Sequence, residues 1–375
     1  MDTALKVLFI SLRADLSGGP KHLYDQLAYI KHSGSTIEPF VAAPDRYYFS
    51  ERYKALSTRF FTLEHRSFRP LTAWRLLRFC RSQGIRLVHS HGRGAGLYSR
   101  FLHLFGIRIV HTFHGIHLEG GFKTRLKFIL DLMTRDLVDQ YVCVSRTELE
   151  RAIASGLSRK ANINLIENGI DLETIQKTLQ SDPTLDLVAR YNLKANTRLL
   201  GTIARNDPVK GVDSLVKYVS RFKEQYPEKD IALFVVGGGY AKFDGHGIFY
   251  LGEIDDMVRF CNSLDIYVSN SRAEGMPLSV LEAMACGTPC LLSRVTGHTD
   301  LVTDGTNGFL FAPHNFESFA GRLLELLSSG GEQQAVAALK ILQERHTLAI
   351  MSEKTLQLYD FLVRGPAHRP HHTLP

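Results

Sequence analysis

Short apolar runs alternate with amphipathic segments twice along this chain, and that alternation constrains the fold more than any other feature. The first round opens with Lys6 to Leu12 (KVLFISL), then Ser17-Gly18-Gly19-Pro20, then a helical pattern from His22 to Ile30. A continuous apolar run is what a strand buried on both faces requires. Further strands are expected at Phe40–Ala43, Phe60–Leu63, Leu87–Ser90, Arg108–Phe113, Gln140–Val144 and Ile163–Ile166. Helices are expected at Leu71–Cys80, Ala95–Phe105, Phe122–Leu137 and Ser145–Ser155. The second round has strands at Arg198–Ala204, Ile231–Val236, Ile248–Leu251, Asp265–Ser269, Cys290–Ser293 and Gly308–Phe311. Its helices fall at Gly211–Tyr226, Asp255–Leu264 and Asn315–Ser328. The break between rounds lies near Leu172 to Asn196. Such alternation predicts an α/β chain of two doubly wound domains with parallel sheets, and a ligand cleft between them. The expected division is 1–173, 174–343, a C-terminal helix over 344–363 packing back on the first domain, and a disordered tail over 364–375.

A chain of 375 residues has room for two separate cores. Its charge is uneven. Up to Glu173 there are 25 Lys and Arg against 16 Asp and Glu, and beyond it 20 against 22. A basic first half meets nucleic acid, anionic lipid or acidic substrates. No aromatic-basic interleaving marks a nucleic-acid module, so lipid or an acidic substrate ranks higher. Five scattered cysteines without a C-x-x-C pair argue against a disulfide frame or zinc site and for a reducing compartment. No signal pattern and no apolar run of about 18 residues is present. The expectation is a cytoplasmic protein, with attachment at the inner face of the cell membrane as a further option.

Arg272 to Pro289 (RAEGMPLSVLEAMACGTP) reads as loop, helix and stop. Pro277 suits the first helical position, Leu278, Leu281 and Ala285 have helical spacing, and Gly287 fits just past the end. Packing does not account for Glu274 and Glu282, since carboxylates near an apolar helix are costly to bury unless they bond something. Free N–H groups from Gly275 to Ser279, including Met276, would suit an anion. Arg205-Asn206-Asp207-Pro208-Val209-Lys210-Gly211 follows the first strand of the second round. Arg205 and Lys210 at a strand mouth suit a diphosphate, and, taken alone, a solvated loop with two surface cations reads slightly better. Gly18 and Gly19 would let backbone approach a phosphate, or merely make a tight turn.

His111, His114 and His117 tempt a metal reading, but alternate strand faces separate His111 from His114. His89 and His91 come near only if their strands pair. No metal site is expected. His114, at a strand mouth, suits ligand contact or acid/base work, or else a bond to local backbone. Phe122, Leu126, Ile129, Leu130, Met133 and Leu137 form an apolar stripe beside Lys123, Arg125, Lys127 and Arg135. A core-facing helix with a solvated basic face is the ordinary reading. The sharper one is shallow insertion at an anionic membrane surface.

Taken together, these segments resemble the family-4 retaining glycosyltransferases, whose GT-B fold has two facing Rossmann-like domains. The resemblance rests on Glu274 to Glu282 as an E-x7-E element, Arg205 with Lys210-Gly211, and Asn168-Gly169-Ile170-Asp171. Ser17-Gly18-Gly19, Thr112-Phe113-His114-Gly115 and Val144-Ser145 with Glu148 complete it, in the family's order. It implies transfer of a sugar from a nucleotide-diphosphate sugar, a UDP-sugar, to a glycan or lipid-linked acceptor in bacterial surface polysaccharide or lipopolysaccharide assembly. By resemblance, Arg205 and Lys210 hold the diphosphate, Glu282 the ribose, and Glu274 with Gly275 and Met276 the sugar. Gly18 and Gly19 approach the diphosphate, and His114 meets sugar and acceptor. Gly237 and Gly238 lie by the nucleobase, with Asn168, Pro277 and Leu278 also donor-binding. No D-x-D element appears, and no cofactor or metal is implied. Ala204, Asn206 and Gly297-His298-Thr299-Asp300 depart from the family's usual residues, which leaves donor identity open.

Alternatives are a sugar-nucleotide epimerase of similar fold and a non-catalytic nucleotide-sugar-binding partner. A dehydrogenase fits worse, because the first glycine loop is not G-x-G-x-x-G.

Overall fold

The computed structural model describes residues 4–65, 67–116, 122–181, 184–240 and 244–365. They divide into two units. One holds the residues up to Asn168 together with those from Leu348 onward, and the other is Gly169–Thr347.

In the first unit the strands are β1 (Leu5–Ser11), β2 (Ile37–Ala43), β3 (Arg59–Thr62), β4 (Leu87–His91), β5 (Arg108–Thr112), β6 (Gln140–Cys143) and β7 (Ile163–Leu165). All pair in parallel, in the order β3-β2-β1-β4-β5-β6-β7. Its helices are α1 (Gly18–His32), α2 (Ser50–Leu56), α3 (Pro70–Gln83), α4 (Gly92–His103), α5 (Phe122–Met133) and α6 (Arg146–Ala154). Alternate residues of β1 explain the two layers. Leu8 and Ile10 join a core with α3, α4 and α6, whereas Val7 and Phe9 join one with α1 and α2. In α3, Ala73, Leu76, Leu77 and Cys80 follow helical spacing and are fully buried, each leucine contributing roughly 1.5–3 kcal/mol. Pro70 starts that helix and Gly84, at φ 67°, ends it.

The second unit begins with α7 (Leu172–Ser181) and α8 (Leu187–Arg190). Its strands are β8 (Arg198–Ile203), β9 (Ile231–Val236), β10 (Asp244–Gly245), β11 (Ile248–Gly252), β12 (Ile266–Ser269), β13 (Cys290–Ser293) and β14 (Phe309–Phe311). The helices among them are α9 (Val212–Gln225), α10 (Met257–Asn262), α11 (Leu278–Ala285), α12 (His298–Leu301), α13 (Phe316–Ser329) and α14 (Glu332–Arg345). The order is β10-β11-β9-β8-β12-β13-β14, parallel except for the β10–β11 edge. Both sheets therefore reverse direction beside their first strand, at β1–β4 and at β8–β12. A ligand crevice forms at such a switch point, outside the carboxyl ends of the strands. The last helix, α15 (Leu348–Arg364), belongs to the first unit, where Leu348, Met351, Leu358 and Tyr359 share a core with α1.

Several elements differ from their sequence reading. The stretch read as a break, 172–196, contains α7 and α8, with Leu172, Ile175 and Leu187 buried. The helix read over 344–363 is two helices. The chain breaks at His346 and Thr347, where the His346 carbonyl accepts the Ile170 N–H and Thr347 bridges Ile170. Helix α5 stops at Met133, and a separate turn, Arg135–Leu137, follows. Pro277 is the residue before α11 and not its first turn, because its ψ of 119° is extended. Gly18 and Gly19 form the first turn of α1 itself. His117 and 366–375 lie outside the described residues.

Candidate active site

The residues singled out from the sequence divide between the two units. In the second unit the loops after β8, β9 and β12 hold most of them, and β8 lies between the other two strands. The Asp207 carboxylate accepts the Val209 N–H at 3.1 Å and caps a tight turn over Pro208–Lys210. Gly211 follows at φ 63°, and a Cβ there would stand 2.1 Å from the Asn270 carbonyl oxygen, so only glycine fits. The Arg272 N–H donates to the Val209 carbonyl at 2.7 Å, tying the β8 loop to the β12 loop.

This delivers Lys210 to Glu274. Its ammonium lies 2.7 and 2.8 Å from the two carboxylate oxygens, and Ser271 Oγ donates to Oε1 at 2.6 Å. Burial pushes the Glu274 carboxyl up, but Lys210, the neighbouring His298 and Ser271 outweigh it and hold the group below the usual carboxylate range. His298 is buried, with Nδ1 2.8 Å from the Ser293 carbonyl oxygen, and Asp300 accepts the Gly297 N–H at 3.0 Å. Gly297 packs on Glu274 so closely that a Cβ would stand 2.7 Å from the glutamate's own. The sequence reading treated Lys210 and Glu274 as binders of different donor groups. They are also partners of each other. Arg205 likewise reaches Asp207, at 3.1 Å. Each cation thus comes with a carboxylate that holds it in place.

Gly275, Met276 and Leu278 are buried at the start of α11, Pro277 is half-buried, and Glu282 is buried within the helix. Packing alone accounts for one of the two glycines assigned to the nucleobase. A Cβ on Gly237, at φ 146°, would stand 2.1 Å from the Ala204 carbonyl oxygen, whereas one on Gly238 would meet only the tip of the exposed Glu253 side chain, which can turn away. Gly18 is different, since nothing lies within 4 Å of the position its Cβ would take.

In the first unit the strand pairing sets His91 opposite Thr112, so His91 at the end of β4 meets His114 just past β5. His91 Nδ1 lies 3.2 Å from His114 Nε2, and the His22 ring on α1 stands 4.9 Å from the His114 ring. His22 Nδ1 lies 3.0 Å from Asn168 Oδ1, which places Asn168 behind this group. Burial lowers all three imidazoles, His22 to about 4, so they are neutral at pH 7. His111 turns the other way, as strand alternation requires, onto Ser90 at 2.9 Å. His89 is bonded to Tyr359 and Thr112.

The sequence reading expected no metal site because His111 and His114 part company. Among the described residues, His22, His91 and His114 nonetheless offer nitrogens within 4.8 Å of one another, the kind of donor set a transition metal takes. Distances along the chain could not reveal this trio, which three separate elements bring together.

His114 has a positive φ of 123°, a strained value for a residue with a Cβ. Glu148, buried on α6, secures that turn. One carboxylate oxygen accepts the Gly115 N–H at 2.6 Å and the other the Val144 N–H at 2.9 Å. The Ser145 hydroxyl accepts the Glu148 N–H at 3.2 Å in return. The S-x-x-E spacing of a helix start carried that signal.

Family models match both parts of the chain. Residues 16–174 match the description Glycosyltransferase Family 4, and 197–329 match Glycosyl transferases group 1. The chain belongs to the group 1, family-4-like glycosyltransferases. Among its relatives is the UDP-Gal:alpha-D-GlcNAc-diphosphoundecaprenol alpha-1,3-galactosyltransferase of Escherichia coli, 24% identical over 67% of this chain and 68% of that one. For two further curated relatives the matched share falls to 59% and 43% of their length. Two solved structures show this glycosyltransferase to have the GT-B fold. Anabaena Alr3699/HepE, solved with UDP and glucose, has a TM-score of 0.78 at 16% identity, covering 95% of this chain and 99% of that one. Sucrose-phosphate synthase of Thermosynechococcus elongatus has 0.79 at 19%, covering 96% and 99%.

Proposed function

We propose that this glycosyltransferase moves a sugar from UDP to a lipid-linked or glycan acceptor, with retention at the anomeric carbon, in bacterial surface polysaccharide assembly. The observation that carries the reading is the Arg205, Lys210 and Glu274 constellation at the carboxyl ends of β8 and β12, beside the start of α11. Breaking the bond between the anomeric carbon and the diphosphate oxygen leaves negative charge on the diphosphate. Two cations and a helix N-terminus neutralise that charge, the type of stabilisation that contributes most to such reactions. The bond from the acceptor oxygen forms on the same face of the sugar, and the acceptor proton passes to the departing phosphate oxygen. Glu274 orients the sugar hydroxyls, Glu282 the ribose, and neutral His114 a sugar or acceptor hydroxyl. Open space beside Gly18 favours the backbone approach assigned to it. Transfer needs no metal on this reading.

The names of relatives support the donor and acceptor classes. One acts on UDP-galactose and a diphosphoundecaprenol-linked sugar, and HepE was solved with UDP and glucose. No helix among the described residues is long and apolar enough to cross a membrane. A nucleotide-sugar donor places the reaction in the cytoplasm, at the inner membrane face if the acceptor is lipid-linked.

A thermal-shift screen against nucleoside diphosphates and their sugars, followed by transfer assays with EDTA present, tests this. Stabilisation by UDP-sugars, transfer to a polyprenyl-diphosphate sugar and an NMR-retained anomer are expected. Inversion, loss of activity with EDTA, or stabilisation by nicotinamide dinucleotides alone would refute it.

A further inference from the structure

We infer that the outer surface of the α3–α4–α5 layer docks on an anionic lipid bilayer, with α5 as the inserted element. The ordinary reading of α5 placed its apolar stripe in the core, and the structure places four residues of that stripe outside. Phe128 and Leu132 pack on the unit's core and Asp131 is buried. Leu126, Ile129, Leu130 and Met133 are instead 58%, 51%, 43% and 79% exposed. At roughly 100° per residue these four fall within about 100° of arc, opposite Phe128 and Leu132. Arg125 and Lys127 border that arc, one on each side, and both are exposed. An apolar strip with a cation on each edge is the cross-section of a helix lying in a membrane interface, where basic side chains reach the headgroups.

The neighbouring helices extend the same chemistry. Helices α3, α4 and α5 together carry eight Lys and Arg and a single acidic residue, Asp131. Asp131 is already engaged by Arg93 at 2.6 Å and Arg100 at 3.2 Å, and so offsets none of the outward charge. On α3, Arg75, Arg78 and Arg81 are exposed beside Leu71 and Trp74, and Trp is a residue of membrane interfaces. A second copy of this chain would bring the same positive surface against itself, whereas anionic headgroups complement it. The inference goes beyond the proposed reaction and does not depend on it.

Flotation of the full chain tests this with phosphatidylcholine vesicles and with vesicles of three parts phosphatidylcholine to one part phosphatidylglycerol. The protein should float with the anionic vesicles alone at about 0.1 M salt, and much less at about 0.5 M. Leu126→Glu with Met133→Glu should weaken binding at least about tenfold. Arg125→Glu with Lys127→Glu should weaken it roughly fivefold or more per cation lost. Both variants should keep the thermal shift with UDP-sugar, which separates membrane contact from the donor site. Absence of binding at low salt, or binding unchanged in both double variants, would overturn the inference. So would light scattering that shows a dimer which L126E/M133E splits, in a protein that binds no vesicles.

Discussion

Replacing Lys210 by methionine separates what this side chain does for the fold from what it does for the reaction. Its ammonium meets both oxygens of Glu274, whose side chain is 10% exposed, and Lys210 itself is 26% exposed. Removing one partner of a buried pair costs about 3–5 kcal/mol, because the other charge remains. Here Ser271 still donates to the carboxylate and water reaches part of the site, which reduces the cost to about 2–3 kcal/mol. At about 2–4 °C per kcal/mol for a unit of this size, the melting midpoint should fall by about 5–10 °C. Lys210→Met combined with Glu274→Gln removes the stranded charge and should recover most of that loss. Turnover should behave differently. Removing one charge-stabilising group costs about 10²–10³ in kcat, so both Lys210→Met and the double variant should stay at least about 100-fold down. The assay pairs urea or thermal denaturation with sugar release from UDP-sugar on the same preparations. Recovery of turnover along with stability in the double variant would refute the diphosphate role of Lys210. Undiminished stability in Lys210→Met would refute the pair as a structural contact.

Three further outcomes follow from the geometry. Because burial lowers His22 to about 4, the unfolded chain binds more protons below pH 6.5, and stability is lost as pH falls from about 6.5 towards 4. His22 alone contributes about 3 kcal/mol of that loss, and urea midpoints at pH 7.5 and 5 should show it shrinking in His22→Gln. Glu148→Gln replaces one acceptor oxygen of the clamp on Gly115 and Val144; it should cost about 1–3 kcal/mol and lower kcat through the strained His114 turn, which denaturation and kinetics on one sample would register. Gly237→Ala should destabilise by about 2 kcal/mol or more, given the approach to Ala204, whereas Gly18→Ala should fold normally and bind UDP-sugar more weakly, as melting with and without donor would reveal.

The strand set was legible because parallel strands buried on both faces must be apolar throughout, and β1, β8 and β9 left no other reading. Arg205, Lys210 and Glu274 were visible as residue types at strand mouths. Their mutual pairing was not, since a cation and a carboxylate 64 positions apart carry no local mark. The histidine trio was hidden for the same reason, depending on β4 lying beside β5 and on α1 starting near both. The orientation of α5 was misread in its ordinary form because periodicity gives the width of an apolar stripe and not the side on which the core lies. Phe128, Leu132 and Asp131 settle that side, and only the packing shows it.

Helix α15 has a consequence for the order in which the molecule is made. Its Tyr359 is buried beside His89 and Gln26, so the first unit has a piece that leaves the ribosome only after the whole of the second unit. The second unit, complete by Thr347, can reach its native state while the first still lacks one wall of its core. Until then Phe9, Leu23 and Leu27 are only partly covered, a window in which a chaperone would find apolar surface to hold. A nonsense codon shortly after 347 would therefore damage the amino-terminal unit and leave its neighbour intact.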